Sequence, residues 1–503
     1  MKKTLFLILM VYTVQTVNAQ WAIDPAFGTN GVAHTIVGDG GSSGHSVAIQ
    51  YDDKVVMVGE TNVCQGAVAR FNPNGTLDNT FGNNGSVLVP KIGDRDYLLD
   101  VVIQSDGKIV ATGYSARLTG YDIILVRLNV NGTLDISFGT NGIKIIDING
   151  NPDFAEAIIV QPDGKLVLGG YSGYEFTVVR VNTNGALDAT FGTNGVTQTL
   201  FDISNCSSIT GIALQADGKI VAVGNTVNSI NYSKFAVARF NADGTFDNTF
   251  GANGKQVFEI GTQFDFLTSV CIQGDGKILL GGHTYRTFGP KYDIAVARLL
   301  SNGTLDNTFG TNGVAKNRIV DGANYITEIM LQSDGKIVVA GRTVFDNAVY
   351  NFGVARFNTN GTLDNSFHEN GVADTDVNSM EAYGEAAVIQ HDGGILVAGH
   401  AYNASSTSEF VAVRYIDPTI VSVSETETIG NLLSISPNPA NNVLKIETKS
   451  TCNIDILDVS GKVVFSTVSD SQVLVDVSKL SSGFYFVRAI SNNTHEVMKL
   501  IIE

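Results

Sequence analysis

The chain has 503 residues, 54 of them glycine, and a formal net charge of −17. That surplus of acid disfavours nucleic acid and other polyanions, whose recognition needs clustered Lys and Arg, and leaves cations and neutral glycans open. The length exceeds one ordinary core, so several domains or one large repeat array are expected.

The N-terminus carries Lys2 and Lys3, an apolar stretch from Leu5 to about Val14, and a small-residue site at Val17-Asn18-Ala19. This pattern predicts a secretory signal peptide over 1–19. The stretch is well short of the ~20 residues that span a bilayer, and no later segment is long and apolar enough, so no transmembrane segment is expected once the signal is removed.

Residues 20–418 repeat one unit of about 58 residues seven times. The landmarks are a Gln-x-Asp-Gly-Lys turn (Asp52, Asp106, Asp163, Asp217, Asp275, Asp334, Asp392), an Arg closing a Val-Ala-Arg run (Arg70, Arg127, Arg180, Arg239, Arg298, Arg356, Arg414), and a Phe-Gly-x-Asn-Gly turn. In the first unit four apolar runs bounded by Gly, Asn and Asp, at 46–50, 54–59, 67–71 and 86–90, predict four short strands. Four strands in a unit of this length is the pattern of a propeller blade. A spare Phe-Gly turn and strand (32–37) precede the first unit, and the seventh unit stops after its third strand. The expected fold is therefore all-β: a seven-bladed β-propeller of four-stranded blades closed by the N-terminal strand, which leaves no open sheet edge.

Spacing separates the two faces of the disc. The distance from the landmark Gln to the Gly ending the second strand is 9 in every unit, whereas from that Gly to the Arg it is 11, 14, 10, 15, 16, 15 and 15. Only the loop between the second and third strands varies, which makes its face the candidate binding face. Just after the second-strand Gly stand Glu60, Tyr114, Tyr171, Asn225, His283, Arg342 and His400, with Tyr174, Tyr285, Tyr292 and Tyr402 in or beside the same loops. Polar and aromatic groups converging in a concavity suit a sugar or a cation.

Other features read as structure. Each unit carries a second Asp before the Phe-Gly turn (Asp24, Asp78, Asp135, Asp188, Asp247, Asp306, Asp364), and an Arg recurring once per unit beside a recurring Asp predicts an ion pair or a turn hydrogen bond within the blade. The run from Asn72 to Asp78 lacks the carboxylate density and distal Glu of an EF-hand, and its Asn-Gly is a tight-turn signal. The cysteines Cys64, Cys206, Cys271 and Cys452 share no repeat position, and Cys271 reads as a buried small hydrophobe. No catalytic residue, cofactor or metal set is assigned, because no nucleophile elbow, Walker loop or helix-borne His pair is present. Catalysis would need residues from several blades meeting at the axis, for example Glu60 with His400.

Together the motifs Gln-x-Asp-Gly-Lys-Ile-Val, Val-Ala-Arg-Phe-Asn and Gly-Thr-Leu-Asp-x-x-Phe-Gly-x-Asn-Gly resemble the bacterial delta-60 repeat, a β-propeller family of no settled function. The sequence departs from it at Asp53, in place of the turn Gly, and at His368-Glu369. After a Ser/Thr/Glu linker (419–430), residues 431–503 resemble the C-terminal sorting domain of type IX secretion, with Pro437, Asn438, Pro439, Gly461, Gly483, Tyr485 and Lys499 in the matching motifs. That resemblance implies a small immunoglobulin-like β-sandwich, passage through the periplasm by the type IX machinery, and release or attachment at the outer-membrane surface. The expected function is a secreted or surface scaffold binding a glycan or protein through the variable face. The alternatives are an extracellular polysaccharide hydrolase or lyase sited at the axis, and a passive adhesive or matrix spacer.

Overall fold

The computed structural model describes residues 21–502 except 119, 202–205, 228–231, 287–290, 346–348, 378–380, 418–432, 437, 439, 449–450, 459–462, 481–482 and 492–493. The signal peptide, the linker, Pro437, Pro439 and Gly461 lie outside the described residues. The chain divides into two compact units, 1–420 and 421–503.

The first unit holds seven antiparallel sheets. Their innermost strands are Ser42–Ile49, Arg95–Ile103, Asp153–Val160, Ser207–Leu214, Asp265–Ile272, Ala323–Leu331 and Ala382–Ile389, and each contacts the next around a closed ring. In the first blade the other strands are Val55–Thr61, Gly66–Phe71 and Ser86–Leu88. The inner strand begins four residues earlier than the apolar run at 46–50 indicates, because a bulge between Gly44 and Ser46 interrupts its alternation. Closure follows the expected route. Val32–Thr35 pairs with Ser408–Ile416 of the seventh blade, from Val32 opposite Val413 to Thr35 opposite Phe410, and Ala22–Ile23 adds a second short pairing.

One network on the face of the invariant turns explains the landmarks. The Arg239 Nε donates to Asp247 Oδ2 at 2.8 Å and its Nη1 donates to the Ser301 carbonyl of the next blade at 2.5 Å. The guanidinium lies 4.7 Å from the centroid of Phe250, the fully buried Phe of the Phe-Gly turn. The same Arg–Asp pair recurs at Arg70–Asp78, Arg127–Asp135, Arg180–Asp188, Arg298–Asp306 and Arg356–Asp364. In the seventh blade Arg414 pairs with Asp24, supplied by the N-terminal segment. The turn Lys reaches the same Asp, as Lys165 does to Asp188 at 2.9 Å. Each buried Phe contributes about 1.5–3 kcal/mol, and the guanidinium stacked on it joins blade to blade.

Two departures from the repeat have physical reasons. Asp53 adopts φ 60°, the left-handed conformation that the turn Gly takes elsewhere and that Asp tolerates. The Gly of the Phe-Gly turn donates its amide to the Asn-x-Asn-Gly turn of the following blade, as Gly82 does to the Asn131 carbonyl at 2.9 Å, and that turn's Gly132 would place a Cβ 2.7 Å from the Gly82 nitrogen. No such turn follows Arg414, so the sixth blade carries His368 without that close approach. Trp21, buried to 4% exposure, fills the place instead, packing on Phe367 at 5.4 Å and under Arg356 at 4.8 Å.

The second unit has a sheet of Leu433–Ser436, Val443–Thr448 and Gln472–Asp476, and a second sheet of Val463–Ser469, Cys452–Asp458, Gly483–Ser491 and Thr494–Ile502. Both supply one core, with Leu444 and Ile446 from the first and Ile454, Ile456, Val487 and Leu500 from the second. Asn438 accepts the Ile501 amide at 2.8 Å, Gly483 pairs with Ile502, Tyr485 is 9% exposed in the core, and Lys499 lies in the last strand opposite Phe486. No disulfide joins the four cysteines. Cys271 is half-buried, and burial pushes its thiol up to about 11.

Candidate functional site: an aromatic collar above an acidic axial chamber

Strict alternation would send every inner-strand side chain to one face or the other of its blade. A bulge in each of the seven inner strands breaks that rule. The residue left out of register is His45, Leu99, Glu156, Thr210, Thr268, Thr327 or Glu385 in turn, and all seven line one axial chamber of about 220 Å³. Asp100 and Glu328, each one residue beyond a bulge, line it too. Four carboxylates from four blades thus converge with one imidazole.

Burial dominates their chemistry, because the surface they keep faces the narrow chamber. Asp100 accepts hydrogen bonds from Ser46 Oγ and from the amides of Val101 and Ile158, each at 2.8 Å, which ties three blades together. Desolvation still outweighs these bonds and lifts Asp100 to about 6. Glu328 is lifted to about 7 by burial, against a hydrogen bond from Ser269. Glu156 also reaches about 7 through burial, with His45 pulling it back slightly. For His45 burial works downward, but its hydrogen bond to Glu60 and the charges of Glu60, Glu385 and Glu156 prevail and raise it. Arg342 Nη1 holds Glu385 Oε1 at 2.5 Å.

The sign of the pH dependence follows. Glu156 and Glu328 keep their protons in the fold up to about 7 but release them near 4.3 when unfolded, so their stabilisation is full at low pH and lost as pH rises through 7. The buried imidazoles of His283 and His400, both pushed down to about 4 by burial, oppose this only below about 6.5. We therefore expect the melting temperature to rise from pH 8 to pH 6, and the rise to be smaller in Glu156→Gln/Glu328→Gln, where Asp100, Asp153 and His45 still contribute to it. A melting temperature that falls over that interval contradicts the chamber's electrostatics. At the acid end, burial of Asp78, Asp135 and Asp364 is outweighed by hydrogen bonds and by their Arg and Lys partners, which hold them at about 2, so their contribution is lost as pH falls from about 4 towards 2.

Two residues before each bulge, about 7 Å along the strand at the usual rise, a collar surrounds the axis. It is built from cross-strand pairs: Ser43 with Glu60, Tyr97 with Tyr114, Phe154 with Tyr171, Ser208 with Asn225, Phe266 with His283, Tyr325 with Arg342 and Tyr383 with His400. The second member of each pair is the residue singled out by spacing, so the fold does bring these seven to one ring. Many of their side chains are engaged between blades. Tyr114 stacks on Tyr97 at 4.9 Å and meets Phe154 at 4.7 Å, and Phe154 stacks on Tyr171 at 4.5 Å. Asn225 accepts the Leu267 amide at 2.8 Å and donates to its carbonyl at 3.1 Å. His283 stacks on Phe266 and Arg342 lies over Tyr325 and Tyr383. Glu60 does not meet His400 directly; it bonds His45, whose ring stands edge-on to His400 at 6.4 Å.

Spacing from the landmark Gln would have found what that reading missed. The inner collar members stand seven residues before it, and the bulged chamber residues five before it, in all seven units. Around the collar Tyr121 is 42% exposed and Tyr174 is 68% exposed, while Tyr285, Tyr292 and Tyr402 are half-buried.

The family profile of the DUF5122 beta-propeller, a domain of unknown function, matches residues 50–81, 104–138, 161–191, 215–250, 273–309 and 332–367. That of the secretion system C-terminal sorting domain matches 434–503. The chain carries a DUF5122 β-propeller and a type IX sorting tail. Only the seventh blade of the DUF5122 propeller, with its borrowed outer strand and its Gly394 in place of the turn Lys, goes unmatched. The tail directs export by type IX secretion to the cell surface or the medium. No curated protein matches the chain.

Among solved structures, the DUF5122 chain is similar to a catalytically inactive virginiamycin B lyase from Staphylococcus aureus, at 12% identity over 76% of this chain and 98% of that one, with a TM-score of 0.43. It is similar at 12% identity to the polysaccharide lyase Uly1 over 80% and 97%, with a TM-score of 0.43. The β-propeller domain of the Trilobed protease from Pyrococcus furiosus matches at 12% identity over 78% and 99%, with a TM-score of 0.38. These likenesses carry no functional argument.

Proposed function

We propose that the DUF5122 propeller is an extracellular glycan-binding module that receives a neutral sugar chain across the collar. The observation that carries this reading is the collar itself: five of seven blades place an aromatic ring at the same inner position, Tyr97, Phe154, Phe266, Tyr325 and Tyr383, and all five stay half-buried. Flat apolar faces with polar edges suit sugar rings, and Glu60, Asn225 and Arg342 supply polar groups between them. A passive spacer would have no need of such a ring. The net charge of −17 turns away polyanionic glycans and favours neutral ones. Affinity electrophoresis of the full chain in gels containing neutral or anionic polysaccharides tests this. Retardation by at least one neutral polymer and none by the anionic ones is expected; equal mobility in all the neutral gels would sink the reading.

A second reading, acid–base catalysis at the axis, draws on Glu156 and Glu328, both lining the axial chamber and held near 7 by burial. It requires chain cleavage by the purified protein that disappears in Glu156→Gln.

A further inference from the structure

The collar is not evenly aromatic around the ring. Five blades carry an aromatic inner member, but the first blade pairs Ser43 with Glu60 and the fourth pairs Ser208 with Asn225. These two blades stand as near to opposite as a ring of seven allows, with two blades between them on one side and three on the other. The collar is therefore two aromatic arcs separated by two gaps.

Ring contacts make each arc continuous. The shorter arc is the run from Tyr97 through Tyr114 and Phe154 to Tyr171, and the exposed Tyr121 extends it, 5.1 Å from Phe154. In the longer arc Phe266 stacks on His283 at 5.3 Å and His283 meets Tyr325 at 5.3 Å. The Arg342 guanidinium then bridges Tyr325, at 5.4 Å, and Tyr383, at 5.6 Å, and Tyr383 stacks on His400 at 4.8 Å. The gaps are small and polar instead. At the first blade Ser43 Oγ lies 3.1 Å from Ser408 Oγ, Glu60 bonds His45, and the variable loop is the second shortest of the seven. At the fourth blade Asn225 is tied to the Leu267 backbone, and Tyr232 of the loop packs on Phe264, just ahead of the fifth inner strand, at 5.3 Å.

One opening in the rim would admit the end of a chain, whereas two opposed openings let a chain enter and leave. The floor closes the remaining route, because the chamber beneath the collar, at about 220 Å³, is smaller than the ~300 Å³ at which ligand pockets begin. We propose, resting on the reading that the collar binds a neutral glycan, that it grips the interior of an unbranched chain, which crosses the face from the first blade to the fourth. The apolar faces of the sugar rings lie against the two arcs, and the chain's hydroxyls meet Ser43 and Glu60 at one crossing and Ser208 at the other. Recognition is then independent of chain ends, and a branch on the gripped stretch is rejected by the arc it faces.

The probe is a linear neutral polysaccharide that retards the full chain, in two size fractions differing about tenfold in length. Light scattering during size-exclusion chromatography, with protein in excess, counts the protein molecules on each polymer chain. The count is expected to rise about tenfold with length. It should collapse in Ser43→Tyr/Ser208→Tyr, which gives the first and fourth blades the aromatic inner member of the other five. One protein molecule per chain at both lengths would mean recognition of a chain end, and would overturn the proposal while leaving glycan binding intact. Undiminished binding by the double variant, with its melting temperature unchanged, would overturn it too; the wild-type length series decides even where the variant does not fold. Equal mobility in every neutral gel would remove the glycan reading and this one together.

Discussion

Arg239→Ala should lower the stability of the propeller by about 3–5 kcal/mol, the cost of breaking a buried pair by removing one partner. Asp247, 4% exposed, would be left without its guanidinium, the Ser301 carbonyl of the next blade would lose its donor, and Phe250 would lose its cover. Urea unfolding followed by circular dichroism measures the loss. Lys219→Ala is the control: its ammonium is 3.9 Å from the same Asp247 and its side chain is 30% exposed, so a change within about 0.5 kcal/mol is expected. A loss below about 1 kcal/mol for Arg239→Ala would mean that the repeated Arg is not what joins the blades.

A larger effect is expected from a chain that begins at residue 38. It lacks Trp21, the Asp24 partner of Arg414, the buried Phe27 and the strand Val32–Thr35. The edge of Ser408–Ile416 would then be bare and Arg414 would lack its Asp24 partner, two defects that invite edge-to-edge association. The sharp thermal transition of a closed ring should be lost and the protein should sediment as aggregate. A truncated chain that stays monomeric and melts within about 3 °C of the full one would show that closure adds little.

Why some of this was legible in the sequence and some was not has a physical basis. The Arg, Asp, Gln and Phe of each unit do one job seven times, and the turn Lys six times, in a network with a single solution, so the same letters recur at the same spacing. Closure was legible because a spare Phe-Gly turn and its Asp24 match the seventh unit's missing ones. The chamber was not, for two reasons. Its bulges break period-2 alternation, so the start of an inner strand such as Gly41-Ser42-Ser43-Gly44-His45 reads as a loop. Its side chains also differ from blade to blade, from Leu99 to Glu156 to Thr210, because they face one shared space where identity is not needed. The collar was half legible: its outer members follow the second-strand Gly, but their packing against Tyr97, Phe154, Phe266, Tyr325 and Tyr383 depends on strand register.

Glycan capture at the collar is tested most directly by calorimetric titration of a neutral oligosaccharide, chosen from the polymers that retard the full chain, into wild type and Tyr121→Ala/Tyr174→Ala. Both rings are exposed beside the collar, and Tyr121 packs at 5.1 Å on Phe154. The expected result is a dissociation constant raised at least tenfold, with a melting temperature within about 2 °C of wild type. Equal dissociation constants for the two proteins would contradict binding at the collar.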